Sequence, residues 1–189
     1  MKIQFSEVDL LEKLVNIVAD DLMNGKIVGW FQGGSEFGPR ALGFRSILAD
    51  PRKKYLDEYL NKEVKLRESW RPYAPVVMEE CVREWFDLNK PSPYMLFSAV
   101  VLQPDLVPAI THKDGTARVQ TVNEKQNFKL YKLLEAFHSK SQVPMLLNTS
   151  FNKAGQPIVE TPKDAFETFK KMKLDILVME NFYIRKKED

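Results

Sequence analysis

A glycine-rich segment near the start of the chain constrains the fold more than any other feature. Residues 29–46 read GWFQGGSEFGPRALGFRS and hold five of the chain's eight glycines together with Arg40 and Arg45. Glycine permits positive φ and close approach of the backbone to a ligand, and arginine binds phosphate or carboxylate oxygens bidentately. The segment therefore predicts an anion-binding loop, to which Ser46 adds a hydroxyl group.

An ordinary long connection is the alternative interpretation of this segment. Its arginines would then be solvated or paired with Glu36 and Asp50. Loops of this length in compact domains are usually functional or disordered, and aromatic residues such as Trp30, Phe37 and Phe44 oppose disorder. The glycine spacing differs from that of a P-loop, so the segment is not a Walker-type nucleotide site.

Charge and residue usage exclude several classes of protein. The 28 Lys and Arg residues nearly balance the 26 Asp and Glu residues, and the formal charge of +2 makes nucleic acid an unlikely partner. Cys81, His112 and His138 are too few for a disulfide framework or an ordinary zinc site. The lone cysteine favours a reducing cytoplasm as the setting. No window approaches the roughly 18 apolar residues of a membrane span, so we expect a cytoplasmic protein without a membrane partner.

Hydrophobic periodicity predicts a single mixed α/β domain over residues 1–189. We expect helices over residues 10–22, 55–60, 81–86 and 128–138, the first capped by Ser6 and Asp9, and another from Pro162 behind a capping box of Thr161 and Asp164. Strands are expected over residues 26–32, 75–78, 94–102, 117–122, 143–147, 174–179 and 182–185. The segment 94–102 is the longest apolar run and is therefore placed in the middle of the sheet.

A second cationic segment follows at residues 61–75, NKEVKLRESWRPYAP. It is either an exposed basic turn, offset by Glu63 and Glu68, or part of a phosphate site. Lys65 and Arg67 would point to the same side if the chain were extended there, and Arg71 follows closely. A lysine and a guanidinium group that converge on a polyphosphate would each form strong charge-assisted hydrogen bonds.

The segment THKDGTARVQ, residues 111–120, contains a turn followed by Arg118 on a predicted strand. Arg118 is either an exposed strand charge or an anion ligand. A catalytic triad of His112 and Asp114 with Ser150 is disfavoured, because the chain has no GxSxG nucleophile elbow.

Short polar side chains follow the strand predicted at residues 143–147. Asn148, Thr149, Ser150 and Asn152 lie in LNTSFNKAGQ. Such residues commonly form turns with their own backbone. They also suit phosphate oxygens or a ribose, provided that the cationic segments reach the same strand ends.

Four ordered motifs connect these segments: GWFQGxxEFGPRALGxRSI, NxxVKxRExxRPxAP, HxDGTARVQ and PxLLNTSFNxxGxPI. Together they resemble the C-terminal part of the O-carbamoyltransferases of the NodU/CmcH type, over about residues 24–183. The resemblance implies a YrdC-like domain, a twisted mixed sheet with flanking helices. The same domain type occurs in threonylcarbamoyl-adenylate synthases and hydrogenase-maturation carbamoyltransferases.

The resemblance also implies a reaction. Carbamoyl phosphate would yield carbamate, which would react with ATP and magnesium to give carbamoyl-adenylate and pyrophosphate. The family's Lys-x-Arg element falls on Lys65 and Arg67, and its Ser-x-Asn element falls on Ser150 and Asn152. Lys65, Arg71 and Arg118 are the implied catalytic residues. The implied substrate and nucleotide ligands are Arg40, Arg45, Ser46, Lys65, Arg67, Arg118, Asn148, Thr149, Ser150 and Asn152.

Members of this family transfer the carbamoyl group to an acceptor hydroxyl in a separate N-terminal, actin-like domain with its own iron or other metal site. We expect that domain to lie outside these residues, and no metal ligand is expected from this part. One departure from the family pattern is Gly34, where relatives carry an arginine. The alternative function is a non-catalytic nucleotide-binding, RNA-binding or assembly module of the same fold.

Overall fold

A computed structural model describes residues 3–186, in which a nine-stranded sheet is flanked by five helices. The strands are β1 (Ile3–Glu7), β2 (Val28–Phe31), β3 (Arg45–Ala49), β4 (Ala74–Met78), β5 (Phe97–Val100), β6 (Thr116–Val122), β7 (Met145–Ser150), β8 (Ile176–Met179) and β9 (Phe182–Lys186). The helices are α1 (Leu11–Met23), α2 (Tyr55–Tyr59), α3 (Val82–Trp85), α4 (Phe128–Ser141) and α5 (Pro162–Lys171). A π-helical turn, Leu60–Lys65, directly follows α2.

The strands lie in the order β1, β9, β8, β2, β3, β7, β4, β6, β5. Among these nine strands, the pairs β2–β8 and β4–β6 are parallel and the others are antiparallel. The sheet is therefore mixed, which confirms the predicted α/β class.

The register of four neighbouring strands brings polar side chains onto one face of the sheet. Ser46 on β3 lies opposite Ser150 on β7. On its other side β7 pairs with β4, and β4 pairs in turn with β6. Because successive side chains of a strand alternate between faces, Ser46, Asn148, Ser150, Arg118 and Gln120 share the same face. This face carries the candidate site.

The helices pack on a continuous apolar core. α1 packs along α4, α4 contacts β4 and β7, and α5 contacts β2 and β8. The predicted capping box of α5 is confirmed, since Asp164 N donates to Thr161 Oγ1 at 3.2 Å and Thr161 N donates to Asp164 Oδ2 at 3.0 Å. No helix within residues 3–186 has the length and apolar character needed to cross a bilayer.

The predicted capping of the first helix by Ser6 is wrong. Ser6 lies in β1, opposite Tyr183 of β9, and α1 begins at Leu11 without a side-chain cap. A capping pattern is a local signal, whereas the pairing of β1 depends on a strand at the other end of the chain.

The predicted central position of segment 94–102 is also wrong. Only Phe97–Val100 form a strand, and this strand, β5, lies at the edge of the sheet beside β6. Ser98 is exposed and Val100 keeps 51% of its surface accessible. The sequence interpretation also missed β3, because it assigned Arg45 and Ser46 to the glycine-rich loop.

Candidate active site

The loop between β2 and β3, residues 32–44, is folded around the carboxylate of Glu36. Glu36 Oε1 accepts hydrogen bonds from the amides of Leu42 at 2.7 Å, Phe44 at 2.7 Å and Arg45 at 3.1 Å. A single oxygen thus satisfies three backbone donors that a long loop would otherwise leave without partners. The loop is consequently fixed where it crosses the polar face of the sheet.

Arg45 ties the base of the same loop to the sheet. Its buried guanidinium donates to the carbonyls of Gln32 at 2.9 Å, Gly33 at 3.0 Å and Phe44 at 3.0 Å, and it lies 3.6 Å from the ring centroid of Phe31. Burial lowers the pKa of Arg45. The structure thus gives Arg45 a role in loop architecture, and its contact with a ligand stays a prediction.

Ser46 and Gly43 form the tight end of the loop. Gly43 N donates to the buried Ser46 Oγ at 3.1 Å, so this hydroxyl also supports the loop. Gly43 has φ of 105°, and a Cβ there would lie 2.3 Å from Leu130 Cδ2. Both the backbone conformation and the packing against α4 therefore require glycine at this position.

Replacing Gly43 by alanine is expected to lower the free energy of unfolding by about 2 kcal/mol or more, because strain at positive φ adds to overpacking. Urea denaturation followed by circular dichroism measures this loss. Gly34→Ala is the matched control, since nothing lies within 4 Å of a Cβ at Gly34. Equal stability of the two variants would contradict the requirement for glycine at position 43.

Asn148 lies in a hydrogen-bond network in which the donor and acceptor role of each amide group is fixed. Gln120 Nε2 donates to Leu42 O at 2.9 Å, which leaves Gln120 Oε1 to accept from Asn148 Nδ2 at 2.7 Å. Asn148 Nδ2 also donates to Ala41 O at 3.0 Å. Both contacts of Nδ2 are acceptors, so Asn148 Oδ1 points elsewhere, and it is buried without a partner among residues 3–186.

Arg118 lies on the same face of β6, two residues before Gln120. Its Nε is buried and also lacks a hydrogen-bond partner in the described part of the chain. Burial, and secondarily the charge of Arg40, lower the pKa of Arg118. We call Asn148 Oδ1 and Arg118 Nε the orphan pair: one is an acceptor and the other is a donor, and both require partners.

Lys65 ends the π-helical turn and is buried, with 3% of its surface accessible. Its Nζ donates to Ser150 O at 2.7 Å, Asn152 O at 2.8 Å and Asn152 Oδ1 at 2.7 Å. The predicted Lys-x-Arg and Ser-x-Asn elements therefore meet through Lys65. Ser150 Oγ donates to Asn152 Oδ1 at 2.7 Å, which closes this cluster.

Arg67 does not lie beside Lys65 in an extended chain. Leu66 between them has φ of 52°, which turns the backbone into the left-handed region. Arg67 Nε donates to the buried Asn61 Oδ1 at 2.7 Å, and its guanidinium stacks 4.7 Å from the Tyr73 ring centroid. The two cations therefore have different hydrogen-bond partners, although the charge of Arg67 still acts on Lys65.

Arg71 and Arg40 are exposed, in contrast to the buried cations. Arg71 Nε lies 3.6 Å from Glu68 Oε2 in a pair that is open to solvent. Such exposed pairs are weak, so Arg71 can turn to a ligand at little cost. Arg71 also lines a cleft of about 330 Å³ together with Trp70 and His112.

Two of the considered residue groups do not join the site. By strand alternation, Thr149 points to the face opposite Asn148 and Ser150. The disfavoured triad is not assembled: His112 Nδ1 lies 3.3 Å from Thr116 Oγ1, and that hydroxyl donates to Asp114 Oδ1 at 2.7 Å. Ser150 contacts Asn152 and Lys65 instead.

The sequence interpretation missed three residues that build the site: Gln120, Asn61 and, as a loop organiser, Glu36. Gln120 follows Arg118 by two residues within the THKDGTARVQ segment, so strand alternation alone places it on the same face. Asn61 is the first residue of the motif NxxVKxRExxRPxAP, but strand alternation does not place it. Its buried side chain accepts from Arg67 and Tyr73 and donates to the carbonyl of Arg71 at 2.9 Å.

Comparison with solved structures defines the class of fold. Sua5 of P. abyssi, solved with L-threonine, matches with a TM-score of 0.65 and 17% identity over 90% of this chain and 47% of its own. E. coli YciO matches with a TM-score of 0.64 and 12% identity, over 93% of this chain and 88% of its own. Full-length HypF, solved in a phosphate- and nucleotide-bound form, matches with a TM-score of 0.61 and 17% identity, over 94% of this chain and 22% of its own. These matches confirm the predicted YrdC-like fold.

Sequence comparison then identifies the family. Residues 19–186 match the family described as Carbamoyltransferase C-terminus. Nodulation protein NolO of Bradyrhizobium diazoefficiens is 45% identical over 93% of this chain and 33% of its own length. The 3'-hydroxymethylcephem-O-carbamoyltransferase of Amycolatopsis lactamdurans is 41% identical over 76% of this chain and 27% of its own. The chain belongs to the carbamoyltransferase C-terminal family of the NodU/CmcH type.

The relatives are much longer than this chain. Protein sll1178 of Synechocystis, 44% identical over 96% of the chain, is matched over only 32% of its own length. The chain thus spans about a third of the curated relatives it matches.

Proposed function

We propose that this chain binds carbamoyl phosphate and ATP and forms carbamoyl-adenylate, which a separate N-terminal domain then transfers to an acceptor hydroxyl. The observation that carries the proposal is the orphan pair on the polar face of the sheet. A carbamoyl group has an NH₂ donor and oxygen acceptors on one carbon. It therefore matches a site that presents one acceptor, Asn148 Oδ1, and one cationic donor, Arg118 Nε.

The charges around the orphan pair support an anionic ligand. Arg40 lies close enough to Arg118 to add to the lowering of its pKa by burial, and Lys65, Arg67 and Arg71 form a second group of positive charges that act on one another. Among the described residues, no carboxylate pairs with Lys65 or Arg118. Fixed cations without counter-ions stabilise the negative oxygens that gather when carbamate approaches the triphosphate of ATP.

The reaction requires two balanced steps. Water first cleaves carbamoyl phosphate to carbamate and inorganic phosphate. A carbamate oxygen then attacks the α-phosphorus of ATP, the bond from that phosphorus to the bridging oxygen breaks, and pyrophosphate leaves. No protein nucleophile is needed: the arginines orient the substrates, and their charges together with that of Lys65 stabilise the negative oxygens. Magnesium would enter with the ATP phosphates and neutralise part of their charge.

Relatives and structural neighbours support the same proposal. The Amycolatopsis relative is named as an O-carbamoyltransferase, and HypF was solved with phosphate and nucleotide. The chain covers only about a third of its family members, so we propose that acceptor binding and final transfer belong to the remaining polypeptide. We place Arg45, Ser46, Arg67, Ser150 and Asn152 in the nucleotide and substrate surroundings of this site, whereas Thr149 lies on the opposite face of the sheet.

Pyrophosphate release tests the function directly. We expect the protein to release pyrophosphate when ATP, magnesium and carbamoyl phosphate are all present, because carbamate is the nucleophile. Omitting carbamoyl phosphate is the control and should abolish the signal. Calorimetry that detects binding of neither ATP nor carbamoyl phosphate would overturn the proposal, and a steeply salt-dependent affinity for tRNA would favour the RNA-binding alternative.

A further inference from the structure

The ammonium group of Lys65 is fully occupied within the protein. Its three N–H donors match three close oxygens: Ser150 O, Asn152 O and Asn152 Oδ1, at 2.7, 2.8 and 2.7 Å. The backbone is tied as well, since Ala154 N donates to Lys65 O at 3.3 Å. Lys65 thus holds the segment 150–154 from both its side chain and its main chain.

Only the charged form of Lys65 satisfies this arrangement. A neutral amine has two N–H donors, so its lone pair would face one of the three oxygens. The three contacts therefore favour the ammonium form, whereas burial and the charges of Arg67 and Arg71 lower the pKa of Lys65 to about 7. The segment 150–154 presents neutral oxygens to Lys65, and no carboxylate within residues 3–186 offsets its charge.

We propose that Lys65 is a positioning residue whose ammonium group fixes the Ser150–Asn152 segment, and that anion binding at the neighbouring site is coupled to protonation of Lys65. The coupling rests on the proposed function, because it needs an anion near Arg67 and Arg71. An incoming polyphosphate supplies the missing negative charge, which raises the pKa of Lys65 in the bound state. Affinity should then be highest below pH 7 and fall as the pH rises through the bound-state pKa.

Calorimetry with inorganic pyrophosphate tests the coupling. Titrations at pH 8 in Tris and in HEPES, which have different ionisation enthalpies, give the number of protons taken up. We expect roughly half a proton or more per site if the pKa rises from about 7 to roughly 8 or above. Lys65→Arg should keep most of the affinity but lose the proton uptake, because guanidinium does not titrate near pH 8.

Hydrogen exchange tests the positioning role without any ligand. In Lys65→Met the amides of residues 150–156 should exchange at least tenfold faster than in the wild-type protein. Lys62→Met is the matched control, because Lys62 lies in the same π-helical turn but forms an exposed pair with Glu58. It should change neither exchange nor proton uptake.

The outcomes separate this inference from the proposed function. Pyrophosphate itself can release a proton on binding, so the wild-type protein is compared with Lys65→Met. Equal net proton exchange in the two proteins would overturn the coupling and leave the anion site intact. Absence of pyrophosphate binding to the wild-type protein would overturn the coupling together with the anion site. Unchanged exchange of residues 150–156 in Lys65→Met would show that Lys65 does not position the segment.

Discussion

Replacing Arg118 by alanine is expected to weaken the binding of carbamoyl phosphate ~10- to 150-fold, the effect of losing one charge-assisted hydrogen bond of about 1.5 to 3 kcal/mol. The melting temperature should not fall. Arg118 Nε is buried without a partner among residues 3–186, so the side chain costs desolvation that no internal hydrogen bond offsets. Calorimetry and a thermal melt on the same sample measure both quantities.

Arg185→Ala is the matched control for this prediction. Arg185 is exposed on β9 and contacts Gln4 at the far side of the sheet, so its removal deletes the same charge away from the site. It should leave the affinity for carbamoyl phosphate unchanged. An equal loss of affinity in both variants would point to a general electrostatic effect, and unfolding of Arg118→Ala would assign Arg118 a structural role.

Replacing Glu36 by alanine is expected to lower the free energy of unfolding by about 2 to 4 kcal/mol, because three backbone donors lose their shared acceptor. These donors are the amides of Leu42, Phe44 and Arg45. The loop also supplies the carbonyls that orient Gln120 and Asn148. Carbamoyl phosphate binding should therefore weaken together with stability, which urea denaturation and calorimetry measure.

Two further variants serve as controls for Glu36→Ala. Glu36→Gln keeps an oxygen that can accept from the same amides, and it should retain most of the stability. Glu160→Ala removes an exposed carboxylate that accepts from Ser35 Oγ at 2.9 Å, and it should have little effect. If Glu36→Gln were as unstable as Glu36→Ala, the negative charge rather than the acceptor geometry would organise the loop.

The secondary structure that the sequence predicted well rests on local signals. The helix over residues 128–138 and the capping box of Thr161 and Asp164 follow from contacts between residues three or four apart. Ser6 carried an equally clear local signal, yet it lies in β1 because β9 offers it a partner strand. The apolar run around β5 likewise gave no indication that this strand would lie at the edge of the sheet.

In the candidate site, too, some features followed from the sequence and others only from the tertiary structure. Sequence motifs selected Lys65, Ser150 and Asn152, which the structure does bring together. The Lys65 and Arg67 side chains, expected to share one side of an extended chain, instead bind different partners, because the backbone turns at Leu66, where φ is positive. Positive φ is rare in leucine, so residue type gave no signature of this turn.

The sequence by itself determined the family, the mixed α/β class and the chemical types of the residues around an anion site. Those properties depend on residue identity and short-range spacing, which four ordered motifs record. Only the tertiary structure decided which atoms of those residues remain for a ligand. The two terminal NH₂ groups of Arg45 donate to loop carbonyls, whereas Asn148 Oδ1 and Arg118 Nε have no partner within residues 3–186. That distinction depends on hydrogen bonds between residues far apart in the chain, so it exists only once the sheet has formed.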